Sequence, residues 1–320
     1  DATLHILVIP DLTIKVRVYL EGSLMDNSNA VASDGRPLMR DGLRVSTFNS
    51  NRYIPNRDPY KFTPDAYLNS SLDLTTDYDH QIPGGTANFS KFDSVASPTP
   101  VFGVEGQEAL VDWVFIELRS KADSTIIQAT RSGLLQRDGD VVDLDGFSGL
   151  KFPGMSIDSY YVVVRHRSHL GAMTADPQTP RQLTTLVNFT KASELDVYDF
   201  GTNKFPGYDY TGLAMNSEVK FGYRALWAGT FDINGKIKAD NPNDDLNTLF
   251  FDVFGYPTNT SLNVNFDFAF GYTPGDYNMD GKSKYDNPND DKNMLYAQLL
   301  FYPLNTGFLS NFDFFIQQLP

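Results

Sequence analysis

Cysteine is absent from the chain. No disulfide framework and no thiolate nucleophile can therefore form, and stability has to come from the core, from bound metal or from assembly with neighbours. No run of 18 apolar residues occurs, so the sequence offers no membrane-spanning helix. Glutamate is scarce: the acidic residues are 34 Asp against 6 Glu. Glutamate is the better helix former, whereas aspartate belongs in turns and oxygen-ligand sites, so this bias predicts a turn-rich β protein with metal loops. Positive charge is outweighed as well. A net charge of −14 repels nucleic-acid phosphate and anionic headgroups, which sets both aside as partners. The motifs GxSxG, HExxH, GxxxxGK[ST] and GxGxxG are all missing.

What remains is ample. The 320 residues are long enough for two or three domains, and 43 aromatic side chains supply core material. The chain opens at Asp1 without a methionine or a basic-then-apolar leader, the pattern expected of a mature exported protein. Leu4 to Ile9 is a short apolar run, and Thr13 to Leu20 alternates in strand fashion. Gly22 to Pro100 reads as long loops. Strand signals follow at 109–119, 125–136, 141–144, 160–167 and 184–190, with turns at Asp138-Gly139 and Asp145-Gly146. Many strands and no long amphipathic helix predict a mainly β chain: a β-sandwich over 1–195, a connector at 196–222, and tandem repeats over 223–320, about 223–270 and 271–320.

The repeats carry the clearest chemistry. In Asp276 to Asp291, DYNMDGKSKYDNPNDD, the residues Asp276, Asn278 and Asp280 fall at positions 1, 3 and 5 of a calcium loop. Gly281 then supplies the turn at position 6, and Lys282 offers its carbonyl at position 7. Position 12 is Asn287, so closure would pass to Asp286, Asp290 or Asp291. A sister stretch, Asp232 to Asp245, matches at an offset of 46 residues through Tyr256/Tyr302, Asn259/Asn305 and the Asn-Phe-Asp-Phe runs at 265–268 and 311–314. Read with a two-residue gap where the second copy has Met279 and Asp280, the first copy keeps Asp232 and Asn234 and lacks the position-5 carboxylate. Its remaining donors would be the Lys236 carbonyl, Asp240 and Asp244. In each copy Asp244 or Asp290 is placed to cap a short helix, whose buried face is Leu249, Phe250, Val253 and Phe254, or Leu295, Tyr296, Leu299 and Leu300. A plain Asp/Asn/Gly turn is the competing reading of both loops.

A calcium loop feeding a short helix, twice, resembles the dockerin modules of cellulosomes. Further stretches widen the likeness: Tyr19 to Gly22 with Met25, Val111 to Arg119, Leu134 to Val142, Val164 to Gly171 with Met173 and Thr174, Ala225 to Gly229, and Gln317 to Pro320. Together they resemble the C-terminal region of secreted Bacteroidota surface proteins of the haemagglutinin-like or adhesin-like kind. That resemblance implies an exported, calcium-carrying, non-enzymatic surface module. It also implies that Ser94 and Ser124, in Asp-Ser-apolar-type tripeptides, are candidate O-glycan acceptors.

Other candidates read as structural. His166 and His169, three apart on a strand, should point to opposite faces and not chelate. Glu117 is expected to pair with Arg119 or Arg165, Trp113 and Trp227 to pack in the core, and Asp138, Asp140, Asp143 and Asp145 to form turns or a further metal cluster. The function expected is a calcium-rigidified extracellular structural protein, either an adhesin module or a filament or sheath subunit, that self-associates or meets surface proteins and glycans. The alternative is a carbohydrate-binding module with a dockerin-like tail; an enzyme would need a carboxylate pair that nothing in the sequence selects.

Overall fold

The computed structural model describes residues 11–25, 29–60, 81–82, 86–87, 93–179, 185–240, 244–286 and 290–320. The apolar run Leu4 to Ile9 lies outside them. Strand β1 (Leu12–Arg17) buries Leu12, Ile14 and Val16 while the residues between face outward, the period-2 pattern of its sequence. After the single turn α1 (Glu21–Leu24) come the small hairpin β2 (Gln81–Ile82) and β3 (Thr86–Ala87), and then α2 (Pro98–Phe102), which starts on proline. The long hairpin β4 (Leu110–Ser120) and β5 (Asp123–Gln136) follows, with β4 buried on both faces from Leu110 to Arg119. Strands β6 (Asp140–Val142), β7 (Leu150–Phe152), β8 (Tyr160–His166), β9 (His169–Met173) and β10 (Leu186–Asn188) complete the sheet.

These strands make one large, almost wholly antiparallel sheet in the order β10-β1-β6-β5-β4-β8-β9, with β7 beside β1; only β1 and β10 run parallel. The expected two-sheet sandwich is instead one continuous ladder of eight strands. The reason is β1. Its first half pairs with β7 and its second half with β6 and β10, so one strand stitches both groups together. The turns fall where the sequence placed them, with Gly139 at φ 90° and Gly146 at φ 85°, values that favour glycine.

Hairpin β11 (Asn216–Lys220) and β12 (Tyr223–Ala225) leads into the repeats, each built on one helix: α3 (Asp245–Phe254) and α4 (Asp291–Phe301). Asp244 and Asp290 cap them by accepting the Asn247 and Asn293 N–H groups, both at 2.5 Å. The helices bury Leu249 and Val253, and Leu295 and Leu299, into a shared core with Trp227, Phe312 and Phe315.

The repeats exchange their tails. Lys236 in the first loop bridges Ile316 of the second tail, and Lys282 in the second loop bridges Phe270 of the first. Matching bonds recur on both sides: Ile237 N–H to the Phe315 carbonyl and Ser283 N–H to the Ala269 carbonyl, each 3.0 Å. Ion pairs repeat likewise, Lys238 with Asp313 at 2.6 Å and Lys284 with Asp267 at 2.9 Å.

Candidate functional site

The second loop closes through its own side chains. Asp276 is fully buried and accepts the N–H groups of Asp280 (3.0 Å) and Gly281 (2.8 Å). Asn278 Oδ1 also accepts from Asp280 (2.9 Å), and Asp280 accepts from Lys282 (3.0 Å). The tail bridge uses the Gly281 carbonyl and the Ser283 N–H, which leaves the Lys282 carbonyl outside it. Asp291, buried at the start of α4, accepts from Tyr277 (2.8 Å), Asn278 (3.2 Å) and Lys284 (2.8 Å). Burial pushes the Asp276 acid up to about 8, and the nearby Asp280 adds to it. Asp291 is raised well above the carboxylate range by burial and then by Asp276 and Asp280. Asp280 is raised by its burial, with Arg40 and Lys282 opposing. Burial thus raises all three acids, and the Asp280 charge adds to Asp276 and Asp291.

That donor set of Asp, Asn, Asp and a backbone carbonyl suits a hard divalent cation such as calcium. The proposed closing acids are engaged elsewhere: Asp290 caps α4, Asp286 meets Lys292 at 3.1 Å, and Asp291 carries its three N–H bonds. Among the described residues no three His, Cys, Asp or Glu side chains come together as a metal cluster, so an ion here would rest on the mixed set.

The first loop corrects the gapped alignment. Its bonds match the second without any gap: Phe231 N–H to Asp245 (2.5 Å) stands for Tyr277 to Asp291, Asn234 N–H to Asp232 (3.1 Å) for Asp280 to Asn278, and Lys236 N–H to Asn234 (2.9 Å) for Lys282 to Asp280. Ile233 (φ 47°) and Met279 (φ 61°) share the same left-handed turn. Thr230 therefore holds the place of Asp276 and Asn234 that of Asp280, so the first and fifth carboxylates are both absent and Asp232 stands at the third position. The Thr230 hydroxyl is buried and has no hydrogen-bond partner among the described residues. Asp240 is exposed, and Asp244 is committed to capping. Asp245, which the sequence reading passed over, is raised well up by burial and by Asp232; its signal was the 46-residue offset from Asp291.

The second loop is seated on the sheet through the β8–β9 turn. Arg167 binds Asp112 on β4 (2.9 Å) and donates to the Thr273 carbonyl, and its guanidinium lies 4.1 Å over the Tyr272 ring. Arg40 reaches Asn278 Oδ1 at 3.1 Å. Contrary to the opposite-faces expectation, His166 and His169 touch, Nδ1 to Nδ1 at 3.0 Å, because a two-residue turn sets them in register across the hairpin. His166 Nε2 meets Asp112 (3.1 Å), and His169 Nε2 accepts the Gly22 N–H (3.3 Å). This fixes the tautomers: His169 donates from Nδ1 to His166, which donates from Nε2 to Asp112. Burial lowers both histidines, His169 well below its usual value. Burial alone would raise Asp112, but Arg167 and the His166 bond hold it below the carboxylate range. The chain is a buried strand-end hydrogen-bond network.

Among the described residues the remaining acidic candidates do not gather into one metal cluster. Asp138 pairs with Arg36 (3.1 Å), Asp140 with Arg17 (2.5 Å), Asp143 with Arg131 (2.9 Å), and Asp145 holds its own turn through Phe147 and Ser148. Glu117 is fully buried between Arg119 (2.8 Å) and Arg165 (2.5 Å). Trp113 and Trp227 are core residues whose indoles donate to the Pro55 and Leu213 carbonyls. Ser94 is exposed, and Ser124 is half-buried at the start of β5. No helix among the described residues is long and apolar enough to cross a membrane.

No family model, curated protein or solved structure matches this chain.

Proposed function

We propose that the protein is a non-enzymatic extracellular structural module, an adhesin module or a filament or sheath subunit, in which calcium at the second loop stiffens dockerin-like repeats. The observation that carries this reading is a buried loop in which Asp276, Asn278 and Asp280 gather hard oxygen donors on successive turns. Burial raises Asp276, Asp280 and Asp291, and the Asp280 charge raises Asp276 and Asp291 further. Like charges forced together there oppose the fold, and a bound divalent cation removes that opposition, so ion binding and folding are linked. Asp276, Asn278, Asp280 and the Lys282 carbonyl would hold the ion. The first loop, with threonine in the leading position, binds it more weakly. Export is supported by the acidic, cysteine-free composition and the likeness to surface proteins. A carbohydrate-binding role finds less support, because both tryptophans of the chain are buried.

Differential scanning calorimetry with calcium and with chelator tests the reading. An ion at about a hundred times its dissociation constant adds about 2.7 kcal/mol, so chelator lowers the melting temperature by several degrees and Asp276→Ala abolishes the difference. Superimposable curves would contradict calcium binding. Electron microscopy of the same samples separates filament from monomer.

A further inference from the structure

A pocket of about 310 Å³ opens where α1, β11 and the C-terminal end of α4 meet. Its rim is apolar, with Met25 50% and Phe301 74% exposed, and Met215 and Trp227 continue the wall inward. Its floor is acidic. Glu21, only 2% exposed, accepts the Ala228 N–H at 3.1 Å and the side-chain amide of Asn216, and also meets Gln298. All three partners are neutral. Among the described residues no Lys, Arg or His pairs with this carboxylate, and the nearby Lys220 donates instead to the Leu24 carbonyl at 3.4 Å.

A desolvated carboxyl without a counter-ion holds a proton at lower pH, and once ionised it leaves one positive charge missing from the site. A metal ion is a poor candidate to supply it, because the lining offers a single carboxylate, its other polar side chains, Asn216, Ser217 and Gln298, being neutral and the rest apolar. Anions are excluded by sign. A cation with an aliphatic stem fits both halves, since methionine and aromatic walls accept the stem and the ring faces attract the charge. The volume is at the small end of ligand pockets, enough for a chain of a few carbons.

We propose that this pocket binds an alkylammonium group, with Glu21 taking the charge and Met215, Trp227 and Phe301 taking the stem. The group is the side chain of a lysine or a free small amine, and the chemistry is shared. Burial pushes the Glu21 acid up to about 7, so the carboxylate is ionised in mildly alkaline buffer.

The full chain is titrated with butylammonium chloride at about pH 8, following Trp227 fluorescence and heat, with 1-butanol as the uncharged control. Saturable binding is expected, at least ~10-fold weaker for butanol and at least ~10-fold weaker in Glu21→Gln, which keeps the shape and removes the charge. Phe301→Ala, at the exposed rim where folding is not at stake, weakens binding by about 3-fold through the lost ring contact. A capped Gly-Lys-Gly peptide that binds more tightly than butylammonium assigns the pocket to a lysine of a macromolecular partner; the reverse order assigns it to a free amine. Absence of saturable binding by both, or unchanged binding in Glu21→Gln, overturns the proposal.

Discussion

At Gly22 the chain passes so close to the second loop that a Cβ would lie 1.7 Å from the Tyr277 carbonyl oxygen. The obstacle is backbone on both sides, with no flexible side chain to yield. Gly22→Ala is therefore expected to cost about 3 kcal/mol or more, read as a fall in the denaturation midpoint at unchanged m-value. Its neighbour Glu21 sets a pH dependence. Its folded acid, up to about 7, lies above the ordinary 4.5, so its contribution is complete below pH 4.5 and is lost as pH rises through 7. The Glu21→Gln variant should lose less stability than wild type between those values. Neither residue declared its role in the sequence, because Leu-Glu-Gly on a loop says nothing of a partner more than two hundred positions away.

The β8–β9 hairpin shows what local pattern reveals and what it hides. The alternation of Tyr160 to His166 marked a strand, yet the placement of both histidines depended on the two-residue turn, which carries no Gly or Asn signal. Asp112 and Tyr272 face this pair along with Arg167, Ser168 and the Gly22 N–H. Both histidines are held neutral below their ordinary value, so stability falls as pH drops through that value, where the unfolded chain takes up protons. The slope of melting temperature against pH between about 5 and 7 is expected to flatten in His169→Asn. Glu21 acts in the opposite sense, so each effect is read as the difference between wild type and its own variant. Helices α3 and α4 were legible in their caps and in Leu249, Val253, Leu295 and Leu299, but Phe250, Phe254, Tyr296 and Leu300 are only half-buried, and Leu246, Met294 and Gln298 take the rest of the buried face. The register of the first loop was not: shared Asp and Asn identities favoured a gap, whereas the structure follows the buried aromatic pair Phe231 and Tyr277.

Over the whole molecule the repeats and the sheet share cores. Ile233 and Met279, the paired left-handed residues of the two loops, both pack into the sheet-side cluster with Tyr272. Residues 223–320 produced alone are expected to give poorly dispersed amide spectra, since this burial would be lost. Removing 312–320 takes away Phe315, stacked on Tyr302 at 3.8 Å, together with the Ile316 bridge over the first loop, and should lower the melting temperature by roughly 10 °C or more in calorimetry.

The crossed tails also impose an order in time. The turn around Lys236 emerges from the ribosome long before Ile316, the residue that covers it. Until translation has passed that point the nascent first repeat remains an open clasp, and a chain stalled midway is marked for proteolysis by the very edge its own continuation would have sealed.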